Sequence, residues 1–210
     1  MGFDNVSGPP KEIAMKTPKI VTESDILDME SFGKIRRQKR KEMSETKRNR
    51  REAVGPDATI MFESYDTMWW QIHEMLFIEK GGQEQIEDEL SAYNPLIPQG
   101  QELVATLMFE IDEPERRKKL LMQLGGVEEV CCLTINGETV TGESEADVDR
   151  TTAAGKASSV QFIHFNLSAK QIDMFKKPDT QVSLGINHSA YGHMAILDPK
   201  VRECLATDFD

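Results

Sequence analysis

A chain of 210 residues with 25 Lys and Arg against 36 Asp and Glu, a formal net charge of −11 and 39% hydrophobic residues is long enough for one domain with appendages, or at most two small domains. No stretch approaches the run of about 20 apolar residues that a membrane-spanning helix needs, the N-terminal segment has no apolar core of a secretory signal, and neither end matches a lipidation motif. The three cysteines, Cys131, Cys132 and Cys204, are an odd number with an adjacent pair, a poor disulfide framework that points to a reducing cytoplasm.

Residues 1–20 are polar and carry Pro9, Pro10 and Pro18, the pattern of a mobile or surface-wrapping tail. A helical arm is expected over 21–54, interrupted near Gly33, with few apolar anchors (Phe32, Ile35 and Met43). Its stretch 31–51 holds ten Lys and Arg against two Glu, a net of +8, whereas everything after residue 51 sums to −16. A basic rod is thus joined to an acidic body. Gly55-Pro56 ends the arm before a strand over 58–63, and Ser64 or Asp66 caps a helix reaching Lys80. That helix is apolar almost all round, as expected of one buried at the centre of a domain.

A helix over 83–92 leads to Tyr93-Asn94-Pro95-Leu96-Ile97-Pro98, predicted extended because a residue before proline avoids the α region. The remaining pattern is a strand over 102–111, a helix from Asp112 and Pro114 to Gly125-Gly126, and a hairpin around Asn136-Gly137. An acidic loop over 143–156, a strand over 158–167, a short helix capped by Ser168, a strand over 181–186 and a final helix from Asp198-Pro199 complete the chain. Regular βαβ alternation is missing, and no internal repeat is found. The pattern fits a single α+β domain over 55–210, with roughly five mostly antiparallel strands packed against helices.

Motifs for common chemistries are few. His73-Glu74 matches the opening of a zinc-protease helix, but Phe77 stands where the second histidine belongs, and Trp70 rules out a Glu-x-x-His spacing. Phosphate-cradling, dinucleotide and nucleophile-elbow motifs are absent. Trp69 and Trp70 point to different sides of their helix and are expected in the core. Cys131 and Cys132 face opposite sides of a strand, so one of them could be an exposed thiol.

Two constellations stand out. Glu63, His73, Glu74, His164 and His188 could converge from distant elements on iron, manganese or zinc, with core or rim histidines as the plainer alternative. The cations Arg36, Arg37, Lys39, Arg40, Lys41, Lys47, Arg48, Arg50 and Arg51 could contact a protein partner, the chain's own acidic body or nucleic-acid phosphates. The acidic remainder and the lack of interleaved aromatics disfavour RNA or DNA.

The run 48–56, Phe62-Glu63-x-Tyr65-Asp66-Thr67-Met68, Gln71-Ile72-His73-Glu74-Met75-Leu76-x-Ile78-Glu79 and Glu89-Leu90-x-Ala92-Tyr93-Asn94-Pro95-Leu96-Ile97-Pro98 resemble a bacterial family catalogued as a domain of unknown function. Ser158-Ser159-Val160-Gln161-Phe162 and Leu184-Gly185-Ile186-x-His188-x-x-Tyr191 extend the likeness over most of 22–197. Genes of that family often lie beside rubrerythrin-like and heterodisulfide-reductase-like iron–sulfur proteins. The resemblance therefore implies a cytoplasmic accessory role in redox or peroxide metabolism, and no established reaction. The expectation is an accessory protein that docks on such partners through its basic arm. A metal-dependent oxidoreductase and an RNA-binding protein are the alternatives, and a homo-oligomer is compatible with an arm of this kind.

Overall fold

A computed structural model describes residues 19–145 and 156–210; most of the expected tail and the centre of the acidic loop lie outside these residues. The fold is α+β, as the pattern predicts, with nine strands among the described residues in two wholly antiparallel sheets. In chain order the elements are α1 (Met29–Arg48), β1 (Arg51–Val54), β2 (Ala58–Phe62), α2 (Tyr65–Glu79), α3 (Gln83–Tyr93), β3 (Glu102–Phe109), α4 (Pro114–Leu121), β4 (Cys131–Ile135) and β5 (Glu138–Thr141). They continue with β6 (Glu143–Ser144), β7 (Val160–Asn166), α5 (Ala169–Phe175), β8 (Val182–His188), β9 (Tyr191–Ile196) and α6 (Pro199–Leu205). The larger sheet has the order β1-β2-β3-β7-β6 and the smaller β5-β4-β8-β9.

Period-two alternation divides the large sheet's side chains between two environments. Ile60, Phe62, Leu103, Ala105, Leu107, Ile163 and Phe165 turn inward and share one core with Leu133, Ile135, Leu184 and Ile186 of the small sheet. On the opposite face, Val104 and Phe162 pack with Met68, Ile72, Leu96 and Ile97 beneath α2 and α3. Phe32, Met43 and Trp70 form a further cluster where α1 lies on α2. Gly142 marks the passage of the chain from β5 in one sheet to β6 in the other. A Cβ there would stand 2.3 Å from Ile163 Cγ2, so no side chain fits. The predicted hairpin is present, with Asn136 (φ 48°) and Gly137 (φ 88°) both left-handed, the condition for a type I′ turn.

Several expectations are corrected. The arm ends its helix at Arg48, and residues 51–54 form β1, paired with β2, so Gly55-Pro56 turns a hairpin instead of preceding the first strand. The helix over 65–79 is not central: it lies on the outer face of the large sheet, with Ile78 62% exposed. Asn94 adopts αR angles (φ −59°, ψ −37°) directly before Pro95, inside a 3₁₀ turn. Its amide compensates by clasping Val21, accepting from the Val21 N–H at 2.8 Å and donating to the Val21 carbonyl at 2.9 Å. A tertiary contact thus overrides the local preference of a residue before proline. β9 is an additional strand, hidden in the sequence because its exposed residues Gly192, His193 and Met194 lack the usual apolar alternation.

Arg50, expected among the exposed cations, is only 3% exposed. Its guanidinium donates to the carbonyls of Phe62 (2.9 Å) and Glu63 (2.7 Å) and to both carboxylate oxygens of Asp208 (2.5 and 3.1 Å). One side chain therefore joins the end of α1, the end of β2 and the turn after α6. Replacing it by Met strands the nearly buried Asp208 carboxylate and two carbonyls. We expect Arg50→Met to lower stability by about 3–5 kcal/mol, read as a shifted urea midpoint at unchanged slope.

Candidate functional site

Helix α1 starts on a true cap, with Asp28 accepting from the Ser31 N–H, and is seated on α2 by the Phe32 ring among Trp69, Trp70, His73 and Phe77. Seating it sorts its cations. Arg36 grips Glu74 with Nε and Nη2 (2.6 and 2.9 Å), lies 4.7 Å above the Phe77 ring, and is joined on Glu74 by Arg40 at 3.1 Å. These guanidinium hydrogen bonds, Arg36 first, hold the Glu74 carboxyl below its ordinary range. Lys39 pairs with Glu42 within the helix, and Arg51 meets Glu110 through Nη2. Among the described residues, Arg37, Lys41, Lys47 and Arg48 have no ion-pair partner. Arg37, Lys41 and Arg48 are exposed, and Arg37, Lys41 and Arg48 recur at helical spacing along one side of α1.

Beside α1 the helical layer covers the large sheet only in part, and a cleft of about 380 Å³ opens on its outer face. It continues into a shallower groove of about 660 Å³ along α1, and the two share Lys47, Arg51 and Met61. Strand register builds the floor. Arg51, Met61, Thr106 and Phe162 are successive cross-strand neighbours over β1, β2, β3 and β7, and Ala53, Thr59, Met108 and Val160 form the next row. At one end lies Glu63, 6% exposed, with Thr67 Oγ1 donating to Oε2 (2.7 Å) and Thr106 Oγ1 to Oε1 (2.6 Å). Thr67 is held by the box that starts α2, in which its hydroxyl accepts from the Ser64 N–H. Sequence reasoning singled out Glu63 but missed the threonines and methionines around it. The available signal was Thr67, four residues beyond Glu63 at the start of a helix.

The five candidate metal ligands have separate partners. Glu63 is held by the two threonines, and Glu74 by Arg36 and Arg40. His73 is used at both nitrogens: Nε2 accepts from the Leu27 N–H (3.0 Å), so Nδ1 carries the proton donated to the Trp69 carbonyl (2.7 Å). Burial pushes its pKa down, in keeping with a neutral ring. His188, in the small sheet, contacts the Gly125 carbonyl through Nε2 (3.3 Å) and accepts from the Ala190 N–H. His164 lies between Glu102 (Nδ1, 3.0 Å) and Glu145 (Nε2, 2.8 Å). No group of three or more His, Cys, Asp or Glu among the described residues is placed to hold a metal ion. Neither thiol of the adjacent pair is exposed: Cys131 faces the core and is fully buried, its pKa pushed up to about 12, and Cys132, on the other face of inner β4 beside Gly185 and Asn187, is 8% exposed.

A family model described as "Protein of unknown function (DUF3501)" matches residues 20–209. The crystal structure of a novel protein of unknown function from Burkholderia pseudomallei K96243 is similar at a TM-score of 0.84 and 34% identity, covering 90% of this chain and 99% of that chain. No curated protein matches.

The His164 cluster has a measurable signature. Hydrogen bonds to Glu102 and then Glu145 favour the imidazolium and raise its folded pKa above the ordinary 6.5. Its stabilisation is therefore fully present below about pH 6.5 and is lost as pH rises through the raised folded value. We expect His164→Gln to remove that component of the stability–pH curve. In wild type, NMR should show His164 titrating above, and His73 below, a free histidine.

Proposed function

The chain belongs to the DUF3501 family, and from that premise we propose that it is a cytoplasmic accessory protein that docks through α1 onto an acidic protein of an iron–sulfur or peroxide-stress system. The observation that carries the reading is the division of cations along α1. Arg36, Arg40, Arg50 and Arg51 are bound to the body's own carboxylates, whereas Arg37, Lys41, Lys47 and Arg48 have no ion-pair partner among the described residues. An isolated arm could scatter its charges over many directions. Here a helix fixed by buried Phe32 and Met43 presents Arg37, Lys41 and Arg48 in fixed positions along one side, the arrangement that steers and registers an oppositely charged surface, while Lys47 turns toward the neighbouring cleft. The three thiols, none in a disulfide, agree with a reducing compartment. The choice of redox partner follows from the family resemblance.

The test is binding of a purified, acidic rubrerythrin-like protein, measured by biolayer interferometry at low and high salt. At about 1 M salt the screening length falls to about 3 Å, and the association rate should fall accordingly. Arg37→Glu with Lys41→Glu should slow association by about tenfold or more while leaving thermal stability unchanged. Binding that ignores both salt and the double reversal would overturn the proposal.

A further inference from the structure

The cleft on the outer face of the large sheet is chemically unlike the α1 edge. Its floor and walls carry Met61, Met68, Met108, Leu96, Val160 and Phe162, an apolar surface in which three unbranched thioethers can adapt to a flat ring. Its mouth carries two cations and the Glu110 carboxylate, a net positive charge, and its other end carries a carboxylate. Among the described residues, the mouth holds Lys47 without an ion-pair partner and Arg51 with only the Nη2 of its five-donor guanidinium engaged, by Glu110. At the deep end is the Glu63 carboxylate, each oxygen fixed by one threonine hydroxyl. An ionised carboxylate has about four acceptor sites, so Glu63 keeps acceptor capacity toward the cleft.

We propose that this cleft binds a heteroaromatic phosphate whose ring carries an N–H donor, the class that includes nucleoside monophosphates and flavin mononucleotide. The phosphate meets Lys47 and Arg51, the ring lies against Met61, Met108 and Phe162, and the N–H donates to Glu63. The register sets the span. Glu63 is one side-chain row beyond Met61, about 7 Å along the strand, and Arg51 is one strand away, about 4.8 Å, so the two groups stand on the same face of the sheet at different ends of the floor. A volume of about 380 Å³ is within the ordinary range of small-molecule sites. An alkyl carboxylate would satisfy the mouth and floor but would press hydrocarbon on Glu63 without a donor. An inorganic anion would use the mouth alone.

Isothermal titration calorimetry with AMP, GMP and flavin mononucleotide, against inorganic phosphate and decanoate, tests the proposal on the full chain. The expected result is saturable binding of at least one of the three aromatic phosphates, about tenfold or more tighter than inorganic phosphate or decanoate. Lys47→Glu should weaken it by about tenfold. Met108→Trp, which fills the floor without touching a hydrogen bond, should abolish it. Glu63→Gln should weaken the aromatic phosphate and leave any inorganic phosphate binding as it was. Arg37→Glu with Lys41→Glu should leave binding unchanged, which separates this site from the docking edge. No binding of any of the three at about 1 mM, binding no tighter than inorganic phosphate or decanoate, or binding indifferent to both Lys47→Glu and Met108→Trp would overturn it.

Discussion

The architecture depends on the placement of one guanidinium. Arg50 follows α1 and precedes β1, and it is almost fully buried against two carbonyls and the Asp208 carboxylate. A charge in that position is tolerated only because every strong donor faces an acceptor, and removing either partner leaves an uncompensated group in a poorly solvated place. Its consequence is geometric. The basic helix cannot leave the body without breaking the network that also fastens the turn after α6. The basic stretch that composition marks as a rod joined to an acidic body is packed on that body, and β1 continues it into the large sheet.

Fixing α1 gives its remaining charges distinct roles. Arg36 and Arg40 neutralise Glu74 on the neighbouring helix, and Arg36 also covers the Phe77 ring, so part of the basic stretch offsets the acidic body within the fold. The cations left over project from a helix that cannot reorient. A charged surface of constant geometry discriminates among partners better than a disordered one of the same net charge, because like-charged or misaligned surfaces are rejected. Lys47 is the exception on this helix, since it borders the cleft and belongs to a second environment.

That environment arises because three helices do not cover a five-stranded sheet. Where α2 and α3 lie on it, Val104 is sealed with Ile72, Leu96 and Ile97, and the partly buried Phe162 marks the border of the covered part. Beyond them the floor stays open, and Glu63 is stabilised by Thr67 and Thr106 in place of a cation. Hydroxyl donors hold a carboxylate without neutralising it, so the cleft keeps an acceptor at one end and cations at the other. Two charged ends across an apolar floor orient a ligand, whereas a uniformly apolar groove would only retain one.

Local signals in the sequence determined much of this protein. The capped starts of α2 and α5, the Asn-Gly hairpin, the proline-led starts of α4 and α6 and the α+β class all rest on interactions within a few residues, and all are present. The charge division between 31–51 and the rest is likewise a property of composition. Tertiary structure alone decided that 51–54 is a strand, because β1 exists only through pairing with β2. It also decided that Asn94 turns before a proline, because its amide has Val21 to clasp. The same holds for the site. The histidines considered for a shared ion each have partners of their own, His73 at both nitrogens and His164 between two carboxylates. Lys47, Arg51, Met61, Thr106 and Phe162 share one surface only because four strands align them, and cross-strand register leaves no mark in the order of residues along the chain.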